Sequence, residues 1–162
     1  MVSLTRNAVR KYCKVSEKLT DLSMLSELRS FFGRKYTLIE LLVWLHKTVE
    51  WSKGDIARHN DPMEIIAYGK GRCGEFSILF TALCLVHNYR ARLILDMSDH
   101  VWTEVWDNEQ KRWIHVDPSE KRINDPLMYG REWKKNLKEI YAFENGKVEN
   151  VTEQYKMREN QV

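Results

Sequence analysis

Apolar side chains recur every three or four positions through the first third of the chain. Leu19, Leu22, Leu25, Leu28 and Phe32 keep that spacing, and Gly33 stands where the helix they predict would end. Thr37-Leu38-Ile39-Glu40 is a capping box, in which the threonine hydroxyl satisfies one free amide while the glutamate reaches back. It opens a second predicted helix with Leu38, Leu41, Leu42, Leu45 and Val49 on its apolar face. Asp61-Pro62-Met63-Glu64 repeats the start signal, with aspartate as cap and proline in the first turn. That short helix turns Ile65 and Ile66 inward and stops by Gly69.

Beyond the Gly69-Lys70-Gly71-Arg72 loop the pattern changes. From Cys73 to about His87 apolar residues lie on every side, which predicts a buried central helix. The period then falls toward two. Ala91 to Met97, Val101 to Trp106 and Arg112 to Asp117 are predicted strands, with Asp107-Asn108-Glu109-Gln110 as the turn between the last two. After Asp125-Pro126 two further strands are expected, around Ile140 to Phe143 and Lys147 to Val151. Helices first and an antiparallel sheet after, with one helix packed into the middle, make an α+β fold.

The 162 residues fit one domain, and 43% hydrophobic with 30% charged residues is an ordinary globular composition able to bury a core without staples. Lys and Arg exceed Asp and Glu by 26 to 23, too small a surplus to argue for a nucleic acid or a membrane surface as partner. No apolar run approaches a bilayer span. Cys13, Cys73 and Cys84 are odd in number and irregular in spacing. The start, Met1 to Arg6, has no apolar segment before a cleavage site. Reduced thiols in a cytoplasmic compartment are therefore expected.

Of the three cysteines, Cys73 stands where a glycine-flanked loop becomes a buried helix. A thiol at a helix N-terminus feels the positive end of the dipole and unpaired amides, which favour the thiolate and can hydrogen-bond a nearby oxyanion. Cys84 reads as a core residue and Cys13 as incidental. In the hairpin, pairing Trp106 with Lys111 puts residue 100 opposite residue 117, so that His100 and Asp117 become direct cross-strand neighbours. That face also carries Trp102, Glu104, Trp113 and His115, while Val101, Val105, Ile114 and Val116 face a core. A nucleophile, a base and an orienting carboxylate thus fall on three consecutive elements. The scattered histidines and the lack of a Cys-x-x-Cys pair give no metal site, and no phosphate-binding glycine loop is present. No cofactor is expected.

At these residues the chain resembles the transglutaminase-like superfamily of cysteine enzymes, and within it the catalytic core of cytoplasmic peptide:N-glycanases. The matching strings are Arg58-His59-Asn60-Asp61-Pro62, Gly71-Arg72-Cys73-Gly74-Glu75, Asp99-His100-Val101-Trp102-Thr103-Glu104-Val105 and Arg112-Trp113-Ile114-His115-Val116-Asp117. They continue through Asp125-Pro126-Leu127-Met128-Tyr129 to Trp133-Lys134-Lys135. The resemblance implies a papain-like fold with residues 1–36 as a helical extension and 37–155 as the catalytic core. It implies Cys73 as nucleophile, His100 as general base and acid, and Asp117 as orienter, acting on a glycoprotein or peptide amide through a thioester. Trp51 is either the family's indole donor to the oxyanion or a core aromatic. Trp102 and Trp113 either line a substrate cleft or form a cross-strand pair. Glu75 and Arg72 are expected to pair at the helix start. The family's glycanases carry two Cys-x-x-Cys pairs ahead of the nucleophile, forming a zinc site. The short span from Trp51 to Arg58 has no cysteine. A protease or Gln–Lys crosslinking enzyme with the same triad, and a binding module of the same fold, are the alternative readings.

Overall fold

The structure, a computed structural model, describes residues 2–158, with side chains from Arg6 onward. The ends of the expected 1–162 domain, Met1 and residues 159–162, lie outside the described residues. Two helices come first, α1 (Val2–Lys18) and α2 (Leu22–Arg29). The helix expected across Leu19 to Phe32 is therefore shorter. Asp21 caps α2 by accepting from the Met24 amide at 2.8 Å, and Leu19 belongs to the link before it. α3 (Leu38–Thr48) opens on the Thr37 capping box, with both reciprocal bonds formed. α4 (Pro62–Tyr68) starts at the Asp61 cap and ends on Gly69 at φ +75°, the left-handed conformation that glycine adopts without strain.

The central helix is α5 (Cys73–Val86), buried along nearly its whole length. It packs on a six-stranded sheet built from β3 (Ala91–Asp96), β4 (His100–Asp107), β5 (Arg112–Asp117), β6 (Arg122–Ile123), β7 (Ile140–Glu144) and β8 (Lys147–Asn150). The strand order is β6-β5-β4-β3-β7-β8, antiparallel throughout. β1 (Glu50–Trp51) and β2 (Lys70–Gly71) form a separate parallel pair beside the start of α5.

Both sheet faces are covered, which explains why β4 lacks simple polar–apolar alternation. On one face Val101 and Val105 join Leu41, Leu45, Phe76, Leu79 and Leu83 in the main core. Two hydroxyl contacts fix α5 on that face: Ser77 Oγ donates to the Val101 carbonyl at 3.0 Å, and Thr81 and Thr103 hydroxyls meet at 3.0 Å. On the other face Ile94 and Trp102 pack with Met128, Tyr129, Leu137, Val151 and Tyr155. This second cover comes from the C-terminal segment, through α6 (Met128–Arg131) and a 3-10 turn at Thr152–Gln154.

The β4–β5 register differs from the expected one by two residues. Trp106 pairs with Trp113 and Thr103 with Val116, because the four-residue loop lies one residue further along, at Asn108 to Lys111, with Asp107 paired to Arg112. Asp107 Oδ1 accepts from the Glu109 and Gln110 amides, and Lys111 closes the loop at φ +55°. A slip of two preserves which face each side chain occupies, whereas a slip of one would reverse it. His100 and Asp117 are therefore diagonal rather than direct neighbours, on one face, and still within reach of each other.

Candidate functional site

The site begins with the turn that presents Cys73. Glu75 folds back over this turn. Its Oε1 accepts from the Arg72 amide at 3.1 Å and from Arg58 Nη2 at 3.0 Å. Its Oε2 accepts from Arg58 Nε at 2.7 Å and from the His59 amide at 3.2 Å. The expected Arg72–Glu75 side-chain pair is thus replaced. Glu75 takes the Arg58 guanidinium, while that of Arg72 reaches the carbonyls of Ser52, Lys53 and Gly54 at 2.9–3.3 Å. A Cβ at Gly71 would lie 2.5 Å from the Glu75 Cβ, so the close approach requires glycine there.

Cys73, the first residue of α5, is half-buried. His100 opens β4 at 8% exposure, and Asp117 ends β5 with none. His100 Nε2 donates to Asp117 Oδ2 at 2.8 Å, which leaves Nδ1 to face the Cys73 thiol. Burial works against the Cys73 thiolate, but the His100 hydrogen bond and charge, aided by the Val101 amide, bring the thiol below its ordinary pKa. Burial likewise works against the His100 imidazolium. Hydrogen bonds to Asp117 and Cys73 overcome it and raise the ring to about 9. Asp117 is held low against its own burial by His100, Tyr129 and Ser119.

More of the surroundings bear on the site than the sequence indicated. Tyr129 Oη donates to Asp117 Oδ2 at 2.8 Å, and Ser119 Oγ to Oδ1 at 2.9 Å. The Trp133 ring meets His100 edge-on, centroids 4.9 Å apart, and is partly exposed. Lys135 binds Asp96 at 2.9 Å and Asp99 at 2.7 Å, fastening the turn that delivers His100. Tyr12, from the N-terminal extension, brings its hydroxyl within 3.5 Å of where a Gly74 Cβ would sit. Burial, with the charge of Cys73 next in size, pushes that phenol to about 12. Tyr129, Trp133 and Lys135 all lie in strings singled out above, but no spacing rule joins them to His100 or Asp117.

The two tryptophans separate. Trp51 is 43% exposed on β1, opposite Gly71 and so two residues from Cys73, which excludes the core-aromatic reading. Trp102 has no exposure and stacks on Tyr129 with centroids 4.3 Å apart. It offers no surface to a substrate, and its expected pairing with Trp113 is taken by Trp106, at 5.4 Å. Among the described residues no group of three or more His, Cys, Asp or Glu could hold a metal ion, and no helix is long and apolar enough to cross a membrane.

A half-buried thiol at a helix N-terminus, an imidazole and a saturated carboxylate in series have the parts for acyl transfer. In such a set a thiolate can attack, an imidazolium can protonate a leaving group, and helix-start amides can hydrogen-bond an oxyanion.

Known proteins are similar at the levels of family, sequence and fold. A family model described as transglutaminase-like superfamily matches residues 34–118. The peptide-N(4)-(N-acetyl-beta-glucosaminyl)asparagine amidase of Drosophila melanogaster is 45% identical over 98 residues, 60% of this chain and 16% of that protein. The amidase of the same name from Arabidopsis thaliana is 41% identical over 105 residues, 65% of this chain and 15% of that protein. The chain thus spans about a sixth of the length of these relatives. In fold it is similar to a chain of the crystal structure of Rad4-Rad23 bound to a 6-4 photoproduct UV lesion. There the TM-score is 0.71 at 17% identity, over 96% of this chain and 48% of that one. Matched by the family model over more than half its length, the chain belongs to the transglutaminase-like superfamily.

Proposed function

We propose that the protein is a cysteine amidohydrolase that removes the glycan from glycosylated asparagine by acyl transfer through Cys73. The observation that carries this reading is the Cys73–His100–Asp117 series, with His100 bonded to Asp117 at 2.8 Å and its charge favouring the Cys73 thiolate. The amidases of Drosophila and Arabidopsis, similar over most of this region, support the choice of amide.

In the proposed reaction the Cys73 thiolate attacks the carbonyl carbon of the asparagine side chain. The tetrahedral oxyanion is stabilised by the free amides at the start of α5, with the Trp51 indole N–H as second donor. As the C–N bond breaks, His100 gives its proton to the departing glycosylamine nitrogen, and a thioester remains on Cys73. Water then attacks the thioester, His100 takes its proton, and the thiolate leaves. The products are aspartate and a glycosylamine. Asp117 holds His100 in orientation and balances its charge. Residues 37–155 form the catalytic unit, to which the extension contributes Tyr12. Three unpaired thiols suit a reducing cytoplasm as its place of action.

The test is mass spectrometry of a denatured N-glycosylated protein after incubation with wild type or Cys73→Ala. Glycan release with asparagine converted to aspartate, absent in the variant, is the expected result. Release by Cys73→Ala would remove the nucleophile from the reading. No release by wild type, with Cys73 still reactive, would move the substrate to a peptide or glutamine amide.

A further inference from the structure

His115 and Tyr129 are buried polar groups that the steps above do not use. His115 is 3% exposed and Tyr129 has no exposure. His115 Nδ1 accepts from the Asp125 backbone amide at 3.2 Å. A backbone N–H can only donate, so Nδ1 carries no proton and the neutral ring holds its hydrogen on Nε2. Nε2 therefore donates to Tyr129 Oη, 2.8 Å away. The phenol has one hydrogen, and with His115 already donating to it the acceptor left is Asp117 Oδ2, at 2.8 Å. The direction of each bond follows from one main-chain amide.

The chain ends on the oxygen that orients the base. Asp117 Oδ2 receives both Tyr129 and His100, while Oδ1 receives Ser119 Oγ at 2.9 Å and the Glu120 amide at 3.2 Å. With four donors the carboxylate cannot turn, and it has little basicity left to take the proton from His100. We propose that Tyr129 and His115 are positioning residues, a relay from the Asp125 amide that locks Asp117 Oδ2 on His100 and thereby sustains the thiolate of Cys73. This rests on the triad reading given above.

Glu104, paired with Arg92 and bonded by the Tyr155 hydroxyl, lies opposite His115 across β4 and β5, and Tyr129 faces Tyr155 and Glu120. His115 faces Asp117, Asp125, His100 and Arg122, and burial is the largest influence, lowering the ring to about 4. Asp125 is itself paired with Arg122 at 2.8 Å and Arg131 at 2.7 Å. His100 faces Cys73, Asp117 and, across the turn, Asp99. His115 thus stays neutral, and the bond directions hold, across the range in which Cys73 and His100 exchange protons.

The experiment is the rate of Cys73 alkylation by iodoacetamide as a function of pH, read site by site by mass spectrometry, beside thermal unfolding. Tyr129→Phe keeps the ring stacked on Trp102 and removes the hydroxyl alone. Its expected profile is displaced to higher pH, with a rate on the rising limb slower on the order of ten-fold, from one lost hydrogen bond to a charged group. His115→Gln can still accept from the Asp125 amide and donate to the phenol, and should retain the wild-type profile. His115→Leu should resemble Tyr129→Phe. A Tyr129→Phe profile superimposed on wild type overturns the relay, whatever happens to unfolding temperature. So does a His115→Gln profile displaced as far as that of His115→Leu, and if the leucine variant fails to fold, the other two decide. A wild-type protein whose Cys73 lacks a thiolate near neutral pH is a different failure, that of the triad itself.

Discussion

Glu75 bears most of the geometry of the nucleophile's turn, and Glu75→Gln removes its charge while keeping its size. The glutamine retains one oxygen for the Arg72 amide, but its NH2 then points at Arg58 Nε and the His59 amide, which sit 2.7 and 3.2 Å from Oε2. Bonds to a charged acceptor contribute about 1.5–3 kcal/mol against about 1 for neutral ones. Arg58 is 50% exposed, so its share falls toward the range of solvent-screened pairs, about 0.2–1 kcal/mol. With Glu75 itself 2% exposed, a loss of about 2–3 kcal/mol follows for the substitution. The assay is urea unfolding at pH 7 compared with acid. Burial opposes the Glu75 carboxylate, but Arg58 and the Arg72 amide hold it below its ordinary value. Its stabilisation is therefore complete above the unfolded value, about 4.5, and disappears as pH falls through the lower folded value. The gap between wild type and Glu75→Gln should close over that acid range. A loss below about 0.5 kcal/mol at pH 7, or a gap that does not change with pH, would refute the reasoning.

Three further outcomes are expected. Gly71→Ala places a methyl 2.5 Å from Glu75 Cβ and should destabilise by about 1–3 kcal/mol in thermal unfolding, with slower Cys73 alkylation. Thr103→Val leaves the Thr81 hydroxyl without its 3.0 Å partner at about 1–2 kcal/mol, and adding Thr81→Val should recover part of that loss in a double-mutant cycle. Arg92→Met removes the cationic partner of Glu104 and leaves it the Tyr155 hydroxyl, Arg92 and Glu104 being 4% and 3% exposed and 2.7 Å apart. Chemical unfolding should show a loss of about 3–5 kcal/mol, partly restored by Arg92→Met with Glu104→Met.

Much of this molecule is legible where a single local rule decides. Thr37 and Asp61 are caps because their hydroxyl and carboxylate meet free amides three residues on, and the all-apolar stretch from Cys73 is a central helix because only a buried helix can satisfy it. Register is a different matter. It depended on where the four-residue loop begins, at Asn108 rather than Asp107, and Lys111 takes a left-handed conformation usually marked by glycine or asparagine. His100 and Asp117 still came together because an error of two residues keeps the face. Tyr129 and Trp133 were beyond reach, since they arrive at the triad through the fold of the C-terminal segment over the second sheet face. Arg58, rather than the adjacent Arg72, completes Glu75 for a similar reason, being 17 residues away in sequence.

The central claim is that Cys73, paired with His100, is a thiolate near neutral pH. Its most direct measurement is iodoacetamide labelling of the three cysteines in the native protein, resolved by site across pH. Burial pushes Cys84 far above its ordinary value, and burial with Glu17 raises Cys13, whereas Cys73 lies below its own. Cys73 should therefore label fastest at pH 7, on a rate profile displaced to lower pH than that of an ordinary thiol. Labelling of Cys73 no faster than Cys13, or a rate that rises only with the titration of an ordinary thiol, would contradict the account.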